Sequence, residues 1–488
     1  MLVTSLFPFV IRFFMIQKWG LEYLGISGLF ASVLQVMNIA ELGIGNAILF
    51  SMYKPMSEND VSTVNALLNL YRIIYKVLGI VLLFVGLIIL PLIKYLISGD
   101  YPADVNIYII YLIHLLNTVI GYVVNAYWDA IPRANQKIDA IYKIGIAVTS
   151  IMYILQIVII CNSHNYYFYI ILLPVTTLII NSLKAKYAKR VYPAIHCEGN
   201  VKYSFIREFC KRIFAMALSK IRTAIRNSID SLAISANLGL IALAKYQNYY
   251  QIMCVPIILI GILKGAMLPI YGIKVATDSK EDNYHVFELY SFVNNWVSTW
   301  CTVCMYCMMQ NIITLWTGKG NLLSDSIVFC MCIYFYIYSF SENAVMIRET
   351  TGEWWIGHQG AIVESVLNLV LNIILVKYFG ILGVLVATIV TLLFVNLPVE
   401  YGFIFKKYFR VKASRYFRCQ LIYLINAMII CIATKKLYNM FITNSLKSLV
   451  IKATICIVIP NVMYIGLNFY SKEFKELLLN FKRLVKSE

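Results

Sequence analysis

The sequence predicts an all-α protein that crosses a lipid bilayer about fourteen times. Of its 488 residues, 60% are hydrophobic and only 14% are charged, and the mean hydropathy of +0.75 is too high for a soluble chain of this length. Apolar runs recur from end to end, and Lys and Arg collect in alternate links between them. The formal net charge of +18 therefore reflects membrane topology, and we expect no nucleic-acid partner.

The apolar runs are long enough to span the membrane, because a helix rises about 1.5 Å per residue and the hydrocarbon core is about 30 Å thick. The predicted spans lie at about 1–18, 26–52, 66–98, 105–131, 141–161, 166–184, 213–238, 244–273, 286–317, 324–347, 357–378, 380–405, 418–434 and 447–469. The longest hydrophilic link, 184–212, separates two halves of six spans each.

This division predicts five regions along the chain. They are an N-terminal six-helix bundle at 1–184, a basic cytoplasmic linker at 185–212, a C-terminal six-helix bundle at 213–405, an additional transmembrane helix pair at 406–469 and a basic cytoplasmic tail at 470–488. The two bundles are expected to surround a central cavity.

The basic links are predicted to be cytoplasmic, because Lys and Arg are retained on that side of the membrane. The basic links are those near 133–137, 184–211 and 406–418, together with the tail. The alternate links, at 20–25, 98–104, 161–167, 238–242 and 377–383, are nearly free of Lys and Arg. An even number of spans then places both termini in the cytoplasm. The link 435–447 is discordant, since it carries three lysines on the predicted outer side.

The segment 212–238 is predicted to form the polar centre of the protein. Its helix has one apolar face, and its polar face consists of Ser219, Arg222, Thr223, Arg226, Asn227, Asp230, Ser231 and Ser235. A central Arg or Asp costs about 2.5 to 3.5 kcal/mol on insertion scales, so such residues usually line a watery cavity or a substrate path. The structural alternatives are a soluble amphipathic helix and a fixed pair between Arg226 and Asp230.

Four cations are predicted to bind substrate. Arg12 lies in the first span and Lys264 in the eighth, and we expect both to join Arg222 and Arg226 in the cavity. For Arg12 and Lys264, a position at a helix end with the charge reaching toward water is an equally good interpretation. Arginine offers paired donors that match phosphate oxygens, so the predicted cargo is anionic.

Three acids are predicted to serve ion coupling or to line the cavity. They are Glu41 in the second span, Asp230 in the seventh and Glu364 in the eleventh. Proton or sodium coupling is the only cofactor requirement that the sequence suggests.

Enzyme and metal motifs are absent from the sequence. The five histidines form no H-E-x-x-H pattern, and there is no Walker A loop or G-x-S-x-G elbow. The run CTVCMYC at 301–307 lacks the fourth ligand and the proline of an iron–sulfur site. We therefore predict no catalytic residue, no metal site and no enzymatic activity.

Four segments resemble a known family. The segment GLEYLGISGLFASVLQVMNIAELGIGNAILFSMYKPMSEND at 20–60 resembles the N-terminal signature of bacterial Wzx-type oligosaccharide flippases. These belong to the multidrug/oligosaccharidyl-lipid/polysaccharide exporter superfamily. DAIPRANQK at 129–137, SIDSLAISANLGL at 228–240 and PVEYGFIFKKYF at 398–409 are similar to later parts of the same pattern.

The resemblance implies a flippase of the bacterial cytoplasmic (inner) membrane. Its substrate would be an undecaprenyl-pyrophosphate-linked oligosaccharide repeat unit, which crosses by alternating access during synthesis of O-antigen, capsule or exopolysaccharide. The implied partners are this lipid-linked substrate, membrane lipid, and the polymerase and other proteins of the pathway. Two alternatives stay open: a cation-coupled multidrug exporter of the same superfamily, and a membrane polymerase or glycosyltransferase of the same pathway.

Overall fold

The computed structural model describes residues 2–41, 43–163, 165–352, 358–441 and 446–487. Within these ranges, the side chains at 2–5, 39, 40, 46, 203, 204, 208, 210–227, 358, 446–449 and 480–487 are not described. The described residues form helices and no strand. The predicted class, an all-α polytopic membrane protein, is therefore confirmed.

The described residues form seventeen α-helices, joined by short 3-10, π-helical and irregular links. In chain order they are α1 (Leu2–Lys18), α2 (Leu21–Met37), α3 (Ile44–Ser57), α4 (Val61–Ile89), α5 (Ile107–Val123), α6 (Ala130–Ala134), α7 (Ile138–Asn162), α8 (Tyr166–Val191), α9 (Tyr203–Thr277), α10 (Lys280–Trp316), α11 (Asp325–Thr351), α12 (His358–Phe379), α13 (Ile381–Thr391), α14 (Leu397–Gly402), α15 (Ser414–Asn439), α16 (Leu446–Asn468) and α17 (Lys472–Ser487).

Among the described residues, nine helices are long and apolar enough to cross a membrane, or ten if the bent pair α5 and α6 is one span. The sequence predicts more spans than this search of the described residues finds. The segment Ser228–Thr277 is 50 residues long, about twice what one crossing requires, and covers parts of two predicted spans. Helix α10 is long enough, but its many buried amide and hydroxyl groups make it less apolar.

Contacts divide the chain into two compact units, Met1–Ala244 and Lys245–Glu488. Each unit has helices with one face toward lipid and one toward the unit's interior. In α4, Ile73, Val77, Ile80, Phe84 and Ile88 form an exposed stripe at helical spacing. The opposite face carries Leu67, Leu68, Tyr71, Tyr75 and Leu82, which are buried in the core of the first unit.

One end of the first unit gathers the links that lack basic residues. The Trp19 indole nitrogen donates to the Ser163 carbonyl at 3.2 Å, and the Tyr23 hydroxyl donates to Asp104 Oδ1 at 2.6 Å. The Ser98 amide donates to the Ser235 carbonyl at 3.0 Å. Four links that the sequence assigns to the outer side therefore meet at one end of this unit.

Gly239 breaks helix α9 at this end. Its φ of 84° lies in the left-handed region, which glycine adopts without strain. A Cβ atom on this residue would lie 2.6 Å from the Ser98 carbonyl oxygen. The glycine thus ends one predicted span, begins the next and lets the 98–104 link pack against the break.

The opposite end of the first unit gathers basic links. The His196 amide donates to Asn65 Oδ1 at 2.9 Å, and Asn69 Nδ2 donates to the Gly199 carbonyl at 2.8 Å. Both asparagines lie in the first turns of α4, so the 192–202 segment packs against the start of that helix. Asp60 caps the same helix, and its hydrogen bonds from the Thr63 hydroxyl and amide lower the pKa of the Asp60 carboxyl.

Helix α10 lies at the centre of the second unit, where it packs against α11, α15 and α16. Its polar face is satisfied inside the unit: Asn294 Nδ2 donates to the Ser339 carbonyl at 3.0 Å and to Asn343 Oδ1 at 2.8 Å. On another face Trp296 stacks on Tyr464 of α16, and its nitrogen donates to Asn461 Oδ1 at 2.8 Å. The last helix pair is thus packed against the body of the unit.

One lysine of the discordant 435–447 link, Lys435, lies against aromatic rings. Lys435 Nζ lies 4.9 Å from the ring centroid of Tyr306, and Lys452 Nζ lies 4.9 Å from that of Tyr438. A cation over an aromatic face gains electrostatic attraction from the ring. Lys435 of the 435–447 link is thus held by packing, whereas Lys452 lies beyond that link. The side of the membrane that the link occupies stays a prediction.

Candidate functional site

The first unit contains a polar cavity of about 500 Å³. Helices α3, α4, α5, α6 and α8 and the 3-10 turn Asn38–Glu41 contribute to its walls. Its polar lining residues are Asn38, Glu41, Tyr71, Tyr75, Asn117, Thr118, Tyr122, Asp129, Arg133, Thr177, Asn181 and Lys184. The volume is within the range of about 300–1,000 Å³ that small-ligand pockets occupy.

Glu41 forms an acidic region of this cavity. Its Oε1 accepts a hydrogen bond from the Tyr75 hydroxyl at 2.8 Å, and its Oε2 accepts one from the Tyr122 hydroxyl at 2.9 Å. Tyr71 donates to Tyr75 at 2.6 Å and so extends the chain of hydroxyls. The carboxylate lies at the end of the 3-10 turn Asn38–Glu41, which follows the end of α2 at Met37 and precedes the start of α3 at Ile44.

A second charged group on the cavity wall contains two cations and one acid. Arg133 Nε lies 2.5 Å from Asp129 Oδ2, and Lys184 Nζ lies 3.1 Å from Asp129 Oδ1. Asp129 and Arg133 belong to the short helical turn around α6, whereas Lys184 belongs to α8. The formal charges of these three side chains sum to +1.

Helix α8 turns one polar stripe toward the cavity. Thr177, Asn181 and Lys184 follow each other at i, i+4 and i+7, which places them on one face. The Thr177 hydroxyl donates to Asn117 Oδ1 of α5 at 2.7 Å. The Asn181 amide nitrogen is buried and has no hydrogen-bond partner among the described residues.

Arg12 and Asp230, two other predicted residues of the first unit, are not among the described residues that line the cavity. Arg12 is half-buried in α1 and lies within electrostatic range of Tyr169 in α8. Asp230 is buried, with 4% of its surface exposed. Arg222 and Arg226 lie on the helical backbone of α9, and their side chains are outside the described residues. The roles predicted for Arg12, Asp230, Arg222 and Arg226 are not tested by these positions and stay predictions.

Lys264, in the second unit, is neutralised by two acids. Its Nζ lies 2.6 Å from Glu342 Oε2 and 3.4 Å from Glu349 Oε2, and the three side chains are largely buried. The two acids are about two helical turns apart on α11, and both face Lys264 of α9. The formal charges of the three sum to −1, so this site presents no net positive charge.

Glu364 lies in a ladder of buried polar groups between α12 and α13. It accepts a hydrogen bond from Asn396 Nδ2 at 3.0 Å. Below it, Asn368 Nδ2 donates to Thr388 Oγ1 at 3.1 Å, and Asn372 Nδ2 donates to Asn368 Oδ1 at 3.2 Å. Asn396 ends a π-helical turn, Leu392–Asn396, and such turns often mark functional positions in helices.

The sequence analysis did not identify Asp129, Arg133, Lys184 and Glu349 as members of ion-paired groups. Arg133 and Lys184 were counted only as topological charges, and Glu349 was not considered. The spacing of Asp129 and Arg133 at i, i+4 was the available signal for the group around Asp129.

Among the described residues, no three His, Cys, Asp or Glu side chains come together as metal ligands.

No protein-family model matches the chain, and no curated protein sequence matches it. Several solved structures are similar to it. Lipid II flippase MurJ in an inward closed conformation is similar over 95% of this chain and 96% of its own, with a TM-score of 0.68 and 15% identity. An inward-facing multidrug resistance MATE family transporter of the MOP superfamily is similar over 82% and 93%, with a TM-score of 0.63 and 14% identity. An outward-facing MATE family transporter of the MOP superfamily is similar over 82% of this chain and 91% of its own, with a TM-score of 0.56 and 15% identity.

At these identities the likeness establishes the fold. This chain has the fold of the MATE and MurJ transporters of the MOP superfamily, and these structural neighbours are transporters rather than enzymes. The exporter fold that the sequence resemblance implies is thereby supported.

The cluster around Lys264 yields a stability prediction. Lys264→Met leaves Glu342 and Glu349 near each other without a counter-charge, so we expect the free energy of unfolding to fall by about 1–3 kcal/mol. Adding Glu342→Gln and Glu349→Gln should recover most of this loss. Thermal unfolding of the purified protein in detergent measures both changes.

Lys274→Met is the matched control, because Lys274 pairs with Asp278 in a more exposed position and such pairs contribute about 0–1 kcal/mol. A Lys264→Met variant as stable as the control, or a triple variant as unstable as Lys264→Met, would contradict a structural ion cluster.

Proposed function

We propose that the protein is a Wzx-type flippase that moves undecaprenyl-pyrophosphate-linked oligosaccharide repeat units across the cytoplasmic membrane by alternating access. The observation that carries this proposal is the fold shared with lipid II flippase MurJ over nearly the whole chain. The resemblance of 20–60 to the oligosaccharide flippase signature points to the same class. The product would enter surface polysaccharide synthesis.

The chemistry of the first unit supports a substrate with a hydroxylated, anionic head. Amide, hydroxyl and carboxylate groups line the cavity and could form hydrogen bonds with sugar hydroxyls. Arg133 and Lys184 add cations to the same wall. A lipid-linked oligosaccharide pyrophosphate presents both kinds of group, whereas most drug-like molecules present neither in this density.

A cation-coupled multidrug exporter is the second candidate, and one observation favours it. Acids lie in both units: Glu41 in the cavity of the first, and Glu364 and the net negative Lys264 cluster in the second. Such acids suit a cationic cargo, and MATE transporters share the fold. The two functions differ in what crosses the membrane, so the charge of the transported molecule separates them.

The arginines of α9 provide the first test of the flippase. Arg222 and Arg226 lie one helical turn apart, where like charges repel, and a central cation costs about 2.5–3.5 kcal/mol on insertion scales. An anionic ligand would offset that cost. We expect Arg222→Ala and Arg226→Ala each to abolish surface glycan in a flippase-null strain while the protein still accumulates in the membrane.

Lysine at either position should rescue the glycan only in part, because it keeps the charge and loses the paired donors. Glycan display and membrane protein level are scored side by side, with Lys143→Ala as an exposed control. Full display from the double alanine variant would remove these arginines from substrate binding.

Ion coupling is proposed to use Glu364, with Asp230 and Glu41 as the alternative acids. Glu364 is buried among amide and hydroxyl oxygens, the type of group that binds a sodium ion or shares a proton in transporters. Glu364→Gln keeps the shape and the bond from Asn396 but removes the charge. We expect transport by this variant to lose its dependence on the ion gradient.

The measurement is uptake into membrane vesicles with and without a proton or sodium gradient. Glu58→Gln, at an exposed helix end, serves as the control. Normal transport with unchanged gradient dependence in Glu364→Gln would exclude Glu364, and the same assay on Asp230→Asn and Glu41→Gln would decide between the remaining acids.

A further inference from the structure

We infer that Asp129, Arg133 and Lys184 form a phosphate-binding site on the wall of the first unit's cavity, in which the Asp129 carboxylate occupies the place of the phosphate until the ligand arrives. The inference rests on the proposed function and deepens it, because it assigns the pyrophosphate of the substrate to named residues. None of the three was predicted from the sequence to bind substrate.

The geometry is that of an anion held by two cations. Each oxygen of the Asp129 carboxylate contacts one cation: Oδ2 lies 2.5 Å from Arg133 Nε, and Oδ1 lies 3.1 Å from Lys184 Nζ. A phosphate group could use the same two contacts, since Arg and Lys bind carboxylate and phosphate oxygens alike. Arg133 would retain its terminal N–H groups for a further phosphate oxygen.

The charge of the cluster favours exchange of one anion for another. Two cations against one carboxylate leave an excess of +1, whereas a pyrophosphate diester would bring about two negative charges at neutral pH. The side chains of Arg133, Asp129 and Lys184 are 38%, 22% and 19% exposed, so an anion in the cavity can reach them. The carboxylate is tethered, and its displacement needs only a rotation of its own side chain.

The neighbouring wall could hold the first sugar. Asn181 lies one helical turn before Lys184 on the cavity face of α8, and its buried amide nitrogen has no hydrogen-bond acceptor in the described part of the chain. A buried donor without an acceptor is costly, and a ligand oxygen would satisfy it. Thr177, Asn117 and Glu41 continue the polar lining beyond Asn181. A phosphate on Arg133 and Lys184 would therefore direct its attached sugar toward groups that bind hydroxyls.

The cluster has a structural alternative, in which Asp129 only ties α6 to α8. The two possibilities predict opposite effects of one substitution on the affinity for phosphate. If Asp129 competes with the ligand, Asp129→Asn frees both cations and raises the affinity for phosphate. If Asp129 only holds the helices in place, the same substitution disorders the cations and lowers the affinity.

The experiment measures binding to the full-length protein in nanodiscs of neutral lipid by isothermal titration calorimetry. Inorganic pyrophosphate is the first probe, and an N-acetylglucosamine pyrophosphate carrying a ten-carbon prenyl chain is the second. Arg133→Gln and Lys184→Gln should each weaken pyrophosphate binding by about tenfold or more. Asp129→Asn should strengthen it by about tenfold, and Asp129→Ser is a second variant in case the first does not fold.

Lys189→Gln is the control, because Lys189 lies on α8 near the cluster but over the Trp128 ring and outside the cavity lining. Its affinity should stay within about twofold of the wild type. Repeating the titration in nanodiscs of anionic phospholipid distinguishes the two sources of phosphate: a site for lipid headgroups in general would be blocked there, and a site for the soluble anion would not.

The inference is overturned if Asp129→Asn and Asp129→Ser weaken binding as Arg133→Gln does, or if the two cation variants match Lys189→Gln. If neither Asp129 variant accumulates, the comparison of Arg133→Gln and Lys184→Gln with Lys189→Gln decides alone. A different result would count against the proposed function. In that case pyrophosphate binds to the variants in the expected order of affinity, but the prenyl-linked sugar binds no more tightly than pyrophosphate does. A wild type and variants that all bind the prenyl-linked sugar equally would leave the flippase standing without this site.

Discussion

The structure depends on one constraint: a charged or polar group within a membrane-spanning helix must be paired inside the protein or face a watery cavity. Water is absent from the hydrocarbon core, so an unpaired group there is costly. The chain satisfies this constraint with pairs between helices. Arg348 contacts the buried Glu400 at 3.0 Å, Lys264 contacts Glu342 at 2.6 Å, and Asn294 bonds to both Ser339 and Asn343. Each pair fixes the rotation and depth of two helices relative to each other.

The same constraint explains which parts of the fold follow from the sequence. Apolar runs and basic links identify the helices and the links that share an end, and the contacts of Trp19, Tyr23 and Ser98 bring together links that the charge pattern had grouped. Pairing partners cannot be predicted in this way. Lys264 and Glu342 are separated by 78 residues, and a single sequence does not give the rotation of one span against another. Lys264 was therefore predicted to join a cationic cavity or to reach toward water from a helix end, and its pairing with Glu342 was not predicted.

The polar cavity of the first unit was only partly predictable for a related reason. Glu41 stood out because it interrupts an apolar run. Arg133 and Lys184 did not, because each lies at the end of a span in a basic link, where topology alone explains a positive charge. In the folded protein, both side chains contact the Asp129 carboxylate on the wall of a cavity. The other polar residues of that wall carry amide, hydroxyl and phenol groups. Charge at a helix end can thus serve orientation in the membrane and ligand binding at once.

The central claim is that the transported molecule is an anionic, lipid-linked sugar. The most direct measurement reconstitutes the purified protein in liposomes, with a fluorescent prenyl-pyrophosphate oligosaccharide in both leaflets, and follows the fraction that an external reductant can quench. A cationic dye serves as the competing cargo. We expect the protein to make the inner-leaflet pool of the lipid-linked sugar accessible to the reductant and to leave the dye where it is. Protein-dependent movement of the dye, with no exchange of the sugar lipid, would contradict the account and establish the drug-exporter alternative.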